Sequence, residues 1–112
     1  MIRGLVVATL AVAGCADDGG PRLDAAMPAA AARDGQVTLF GSRLCGERGD
    51  CASAGGEITI GIDPPVVQAS IIAYEDMTAT IVIPTITPLG KTQLLATVNE
   101  RSSNALDFEV LP

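Results

Sequence analysis

The sequence predicts an all-β domain, an antiparallel sandwich of six or seven short strands. Apolar residues recur at every second position in five separate stretches, the signature of strands with one buried face. Gly, Pro, Asn and Asp punctuate these stretches at short intervals, as turns between strands require. No stretch after Cys15 sustains the 3.6-residue period of an amphipathic helix.

The first element is not part of that sandwich. Residues 1–14 carry one charge, Arg3, followed by the apolar run from Leu5 to Ala13, and end at Val12-Ala13-Gly14 before Cys15. The run is about half the roughly 20 residues that a membrane-spanning helix needs, and Asp17-Asp18-Gly19-Gly20 stops it. Val12-Ala13-Gly14-Cys15 resembles the lipobox of bacterial lipoproteins. The resemblance implies a signal peptide over residues 1–14, removed before folding, and a mature chain that begins at Cys15 with a diacylglyceryl group on its thiol. Ala16 in place of Asp after that cysteine implies the outer rather than the inner membrane of the cell envelope.

Residues 15–20 then form the lipidated cysteine and a short tether, and residues 21–112 one domain. Met27 to Arg33 contains four consecutive alanines, and a single helical turn is expected there before Asp34-Gly35 ends it. Gln36 to Gly41 alternates, with Val37 and Leu39 on one face and Thr38 and Phe40 on the other. Glu57 to Ile62 places Ile58, Ile60 and Ile62 together. Val66 to Tyr74 is a less regular strand. Thr78 to Ile83 aligns Ala79, Ile81 and Ile83, Thr92 to Asn99 aligns Leu94, Ala96 and Val98, and Ala105 to Leu111 aligns Leu106, Phe108 and Val110. Asn99, Ser102, Ser103 and Asn104 are expected to make the hairpin turn between the last two strands. Pro64-Pro65, Pro84 and Pro88 cannot donate to a central ladder and belong in connections.

The order of turn and core residues also resembles a family. Pro21-Arg22-Leu23, Pro28, the strand Gly35-Gln36-Val37-Thr38-Leu39-Phe40-Gly41 and Leu44 look like the opening of an IPT/TIG domain, with its "G-x-x-V-T-I-x-G" strand. Tyr74 to Pro84 is similar to that family's aromatic residue, polar turn and strand ending in Pro. Pro88-Leu89-Gly90-Lys91 with Leu94 to Asn99 resembles the turn and strand that follow. Ser102 to Val110 is similar to the closing "S-N-A-x-x-F-x-V". The resemblance covers Pro21 to Pro112 and implies an immunoglobulin-like sandwich forming a single domain. The stretch from Cys45 to Ala54 and the alanines from Ala29 to Ala32 depart from the family pattern.

Composition narrows the function classes. The chain has 112 residues and a formal net charge of −6. Without residues 1–14 about 98 remain, enough for one small domain, and six basic side chains face thirteen acidic ones. Phosphate backbones and anionic headgroups repel such a surface, so no nucleic-acid partner is expected, and membrane attachment should come through lipid. There is no His and no Trp, and Phe40, Tyr74 and Phe108 are the only aromatics. Base-assisted Ser or Cys catalysis therefore lacks its usual base, His-containing zinc sites are excluded, and the scarcity of aromatics argues against stacking platforms. The chain is expected not to be an enzyme. Neither a cofactor nor a metal is expected. Asp50, Glu57, Asp63, Glu75 and Asp76 lack the dense spacing of a calcium loop, and Glu75 and Asp76, adjacent in a turn, would point apart rather than act as an acid/base pair.

With Cys15 assigned to lipid, Cys45 and Cys51 remain as an even pair in an oxidising compartment and are expected to form a disulfide. A loop this short contributes about 2–3 kcal/mol at most by the chain-entropy argument. Arg48, Gly49 and Asp50 sit inside it and make it a candidate binding loop. Phe40, Ile86, Leu89 and Leu95 are candidates for an apolar docking patch. These observations lead to the expectation of a membrane-anchored lipoprotein with a non-catalytic binding or structural role toward a protein or glycan. Two alternatives are a glycan- or matrix-binding adhesin that uses the Cys45–Cys51 loop and an accessory subunit of a cell-envelope enzyme complex.

Overall fold

The computed structural model describes residues 19–52 and 56–112. Cys15 and the signal-peptide segment lie outside the described residues. Ten strands form among the described residues: β1 Arg22–Met27, β2 Ala30–Ala32, β3 Gln36–Ser42, β4 Gly56–Ile60, β5 Val67–Gln68, β6 Ser70–Tyr74, β7 Thr78–Val82, β8 Gly90–Val98, β9 Arg101–Ser102 and β10 Leu106–Leu111. The number exceeds the expected six or seven because β2, β5 and β9 span only two or three residues. Segments that short cannot display a period.

The strands make two sheets. One has the antiparallel order β1-β3-β7-β6, and the other the order β2-β10-β8-β4-β5, with β9 paired to β8. The second sheet is mixed, because β2 runs parallel to β10 while its other pairs are antiparallel. The chain is thus an all-β sandwich with one core. Val37 and Leu39 from β3 and Ala79 and Ile81 from β7 share that core with Ile58, Ile60, Leu94, Ala96, Phe108 and Val110 from the facing sheet. These are the alternate residues of the predicted strands. Hydrophobic burial, at about 25 cal/mol per Å² of apolar surface, is what holds the two sheets together.

Four sequence expectations need correction. Ala30–Ala32 is a strand, not a helical turn. It pairs in parallel with Glu109–Leu111, and Ala31 is buried. Between Pro28 and Asp34 the run is too short to nucleate a helix, so sheet pairing overrides alanine's propensity. Val66 to Tyr74 is two strands in different sheets. Val67 and Gln68 pair with Ile60 and Thr59, whereas Ser70–Tyr74 pairs with β7. The chain changes sheet at Ala69, whose N–H donates to the Ile58 carbonyl over 2.9 Å. Ile62 does not continue the Ile58–Ile60 face. Gly61 has φ +101°, ends β4 and turns Ile62 outward, 51% exposed. Finally, the hairpin between β8 and β9 turns at Asn99 and Glu100, both at positive φ (51° and 67°), as a two-residue primed turn requires.

The registers define two ends. Arg22 pairs with Ser42, Gly56 with Val98 and Tyr74 with Ala79 at one end. Gln36 pairs with Val82, Ile60 with Leu94 and Gly90 with Val110 toward the other. The described chain enters at the first, the tether end.

Candidate functional site

At the tether end β3 stops at Ser42, Arg43 takes φ +53°, and Leu44 drops into the core at 0% exposure. The turn between β6 and β7 holds it there. The Leu44 N–H donates to the Asp76 carbonyl over 2.9 Å, and the Cys45 N–H donates to Asp76 Oδ1 over 3.1 Å. The Tyr74 hydroxyl donates to the Leu44 carbonyl over 2.6 Å. Burial pushes this phenol up to about 12, and the nearby Asp76 carboxylate adds to the shift. Tyr74 thus remains a neutral donor through the physiological range.

From this base the chain closes the expected ring. Cys45 and Cys51 are disulfide-bonded with a Cα–Cα distance of 4.7 Å. Cys45 is buried and Cys51 exposed. Inside the ring the Gly46 N–H donates to Arg43 O and the Gly49 N–H to Gly46 O, both over 3.1 Å, with both glycines at positive φ. Arg48, Gly49 and Asp50 are brought together on the exposed side. Asp50 Oδ1 accepts the Ala52 N–H over 3.2 Å. Among the described residues no three carboxylates or cysteines gather closely enough to hold a metal ion. Asp76 serves the loop backbone instead, and Asp63 lies at the opposite end.

Two residues read in the sequence as turn formers and as part of the closing S-N-A stretch fasten this end. Ser103 Oγ accepts the Ala96 N–H over 2.9 Å, while the Ser103 N–H donates to the Ala96 carbonyl over 2.7 Å. The Asn104 side chain accepts the Leu23 N–H over 2.9 Å and donates to the Leu23 carbonyl over 2.8 Å. This amide satisfies a buried strand residue at the irregularity where β1 shifts register against β3. An Asn beside a turn, within the closing S-N-A stretch, does not by itself reveal a partner 81 residues away. The start of the described chain is fastened here as well. Arg43 Nε donates to the Gly20 carbonyl over 3.1 Å, Gly20 and Pro21 are buried, and Gly19 packs against Glu47 and Arg101. Gly19, Gly20, Gly46, Glu47, Asn99 and Arg101 line a polar cleft of about 210 Å³.

The far end is built from Gly61 to Val66 and Pro84 to Leu89. Its centre is Thr87, fully buried, with Oγ1 donating to the Pro84 carbonyl over 2.7 Å and its own carbonyl accepting Arg33 Nε over 2.7 Å. Around it a groove of about 470 Å³ is lined by Ile62, Asp63, Pro65, Leu89 and Lys91. Ile86 is 77% exposed and Leu89 51%. The four candidates for one apolar patch do not meet. Ile86 and Leu89 lie at this end. Phe40 faces outward from β3, and Leu95 alternates outward from the buried Leu94 and Ala96 of the other sheet. The strands' period-2 geometry separates them.

No protein-family model matches the chain, and no curated protein matches it. Among solved structures it is similar to a crystal structure of a "Putative phosphatase" from Bacteroides thetaiotaomicron, with a TM-score of 0.50 and 9% sequence identity. The match covers 82% of this chain but only 18% of that one. At this identity the likeness is one of fold, and it concerns a small part of a much longer protein.

Proposed function

We propose that this chain is a lipid-anchored protein of the bacterial cell envelope, held at the outer membrane through Cys15. Its domain is an immunoglobulin-like sandwich of the IPT/TIG kind with a non-catalytic binding or structural role toward a protein or glycan. The observation that carries this reading is the Val12-Ala13-Gly14-Cys15 sequence, which stands four residues before the point where the chain packs onto the sandwich at Gly19. The strand orders β1-β3-β7-β6 and β10-β8-β4 support the immunoglobulin-like part, because constant-type domains pair their strands in that arrangement. The non-catalytic part rests on the side-chain inventory. The chain has no His, and among the described residues the one strongly shifted group, Tyr74, is spent on the Leu44 backbone.

Labelled palmitate fed to expressing cells tests the anchor. Incorporation into the wild type and its loss in Cys15→Ala is the expected result. Equal labelling of both, or none in either, overturns the reading.

A further inference from the structure

The two ends of the sandwich differ in their distance from Cys15, and covalent geometry turns that difference into an orientation. We infer that the Cys45–Cys51 loop is the membrane-facing foot of the anchored domain, in contact with the lipid headgroup layer, while the groove between Ile62 and Leu89 points away from it. This inference rests on the lipid anchor at Cys15 and adds a direction to it.

Cys15 and Gly19 are four residues apart, so no conformation separates them by more than about 14 Å. The point of departure is fixed. Arg43 holds the Gly20 carbonyl, Gly20 and Pro21 are buried, and Gly19 lies against Glu47, a residue of the disulfide ring itself. No slack can be gained without breaking these contacts. The nine residues of β8 from Gly90 to Val98 span about 30 Å at a strand's rise per residue, roughly twice the reach of the tether. The far end approaches the membrane only if the domain lies on its side. That posture would press exposed carboxylates such as Asp63 and Asp107, on an acidic domain, against anionic headgroups.

The ring suits a wet, polar interface. Glu47, Arg48, Gly49 and Asp50 are all exposed, and they carry both signs of charge and no large apolar side chain. The loop neither inserts nor binds by net charge, so its proximity follows from the tether and should be indifferent to salt. Arg48, Gly49 and Asp50 then face the protein's own membrane and are hidden from a distant surface.

The absence of Trp supplies the test, since one substitution creates a single indole reporter. Full-length lipidated Ala52→Trp and Ile86→Trp proteins are reconstituted separately into phosphatidylcholine vesicles that contain a headgroup-spin-labelled quencher lipid. We expect Ala52→Trp to be quenched several-fold more strongly than Ile86→Trp, with the ratio unchanged at high salt and on adding anionic lipid. Arg48→Trp and Leu89→Trp form a second pair at the same two ends, for use if either first variant fails to fold. Equal quenching, stronger quenching at the far end, or a ratio that collapses in salt overturns the inference. Palmitate labelling separates the two levels. A labelled protein with a reversed ratio defeats the orientation alone, whereas an unlabelled one defeats the anchor and the orientation with it.

Discussion

The tether end and the far end close the same sandwich by different means. At the tether end the closure is polar and redundant: a disulfide, the Tyr74 and Asp76 bonds to Leu44 and Cys45, the Asn104 clamp on Leu23, and Ser103 on Ala96. At the far end it is a proline-bounded turn around one buried hydroxyl, Thr87, with Ile62, Val66, Ile86 and Leu89 left in solvent. Side-chain clamps on the backbone thus gather at the tether end, and most of the exposed apolar side chains in the connections lie at the far end, Met77 in the β6–β7 turn being the exception. The contrast teaches that the disulfide is one member of a set that fixes the β3–β4 connection. The far end gains almost nothing from its outermost side chains.

The largest test of that contrast is Gly56→Val. A side chain there would overlap the Tyr74 ring and hydroxyl, so Tyr74 must leave the Leu44 carbonyl. Denaturant unfolding should report a loss of about 3 kcal/mol. Next, Asn104→Ala strips both bonds from the buried Leu23 backbone and should cost about 2 kcal/mol in the same measurement. The paired change Cys45→Ser/Cys51→Ser should cost slightly less, up to about 2 kcal/mol, because Asp76 and Tyr74 still hold the base of the loop. A complete loss of folding would show that the disulfide outranks its neighbours.

Tyr74→Phe removes one hydrogen bond and should cost about 1 kcal/mol at neutral pH. It also changes the alkaline limb. Because the folded phenol is raised from 10.0 to about 12, its contribution is complete below pH 10, where both states are protonated. It falls as pH rises from 10 to 12, where the unfolded chain ionises first. The wild type should therefore lose stability over that window and Tyr74→Phe should not. Near-ultraviolet absorbance follows the sole tyrosine directly. The smallest effect belongs to the far end, where Ile86→Ser should stay within about 0.5 kcal/mol of wild type by thermal unfolding. A larger loss would mean that the exposed residues close that end after all.

The strands legible in the sequence are those whose faces differ. β3, β4, β7, β8 and β10 each bury alternate residues, and period 2 shows directly as Val37/Leu39, Ile58/Ile60, Ala79/Ile81, Leu94/Ala96 and Phe108/Val110. What escaped was set by partners distant in sequence. Nothing local in Val66 to Tyr74 says that Val67 pairs with Ile60 while Ser70 pairs with Val82. Nothing in four alanines indicates that Glu109 waits beside Ala30. The cysteine pair was legible from counting alone. Its struts, Tyr74 and Asp76, were not, because a side chain that caps a backbone thirty residues away leaves no periodic trace.

The direction of β2 bears on force. β1 and β2 run from the tether end toward the far end, and β2 lies parallel to β10, with Ala30 to Ala32 alongside Glu109 to Leu111. A pull on residue 19 against a load at Leu111 therefore acts along the strands, not across them. The ladders of β1 with β3 and of β2 with β10 would be sheared, so their bonds must yield together instead of opening one after another from an end. Pulled along its strands in this way, the domain would have to break those ladders together, a harder failure than peeling the same strands one bond at a time.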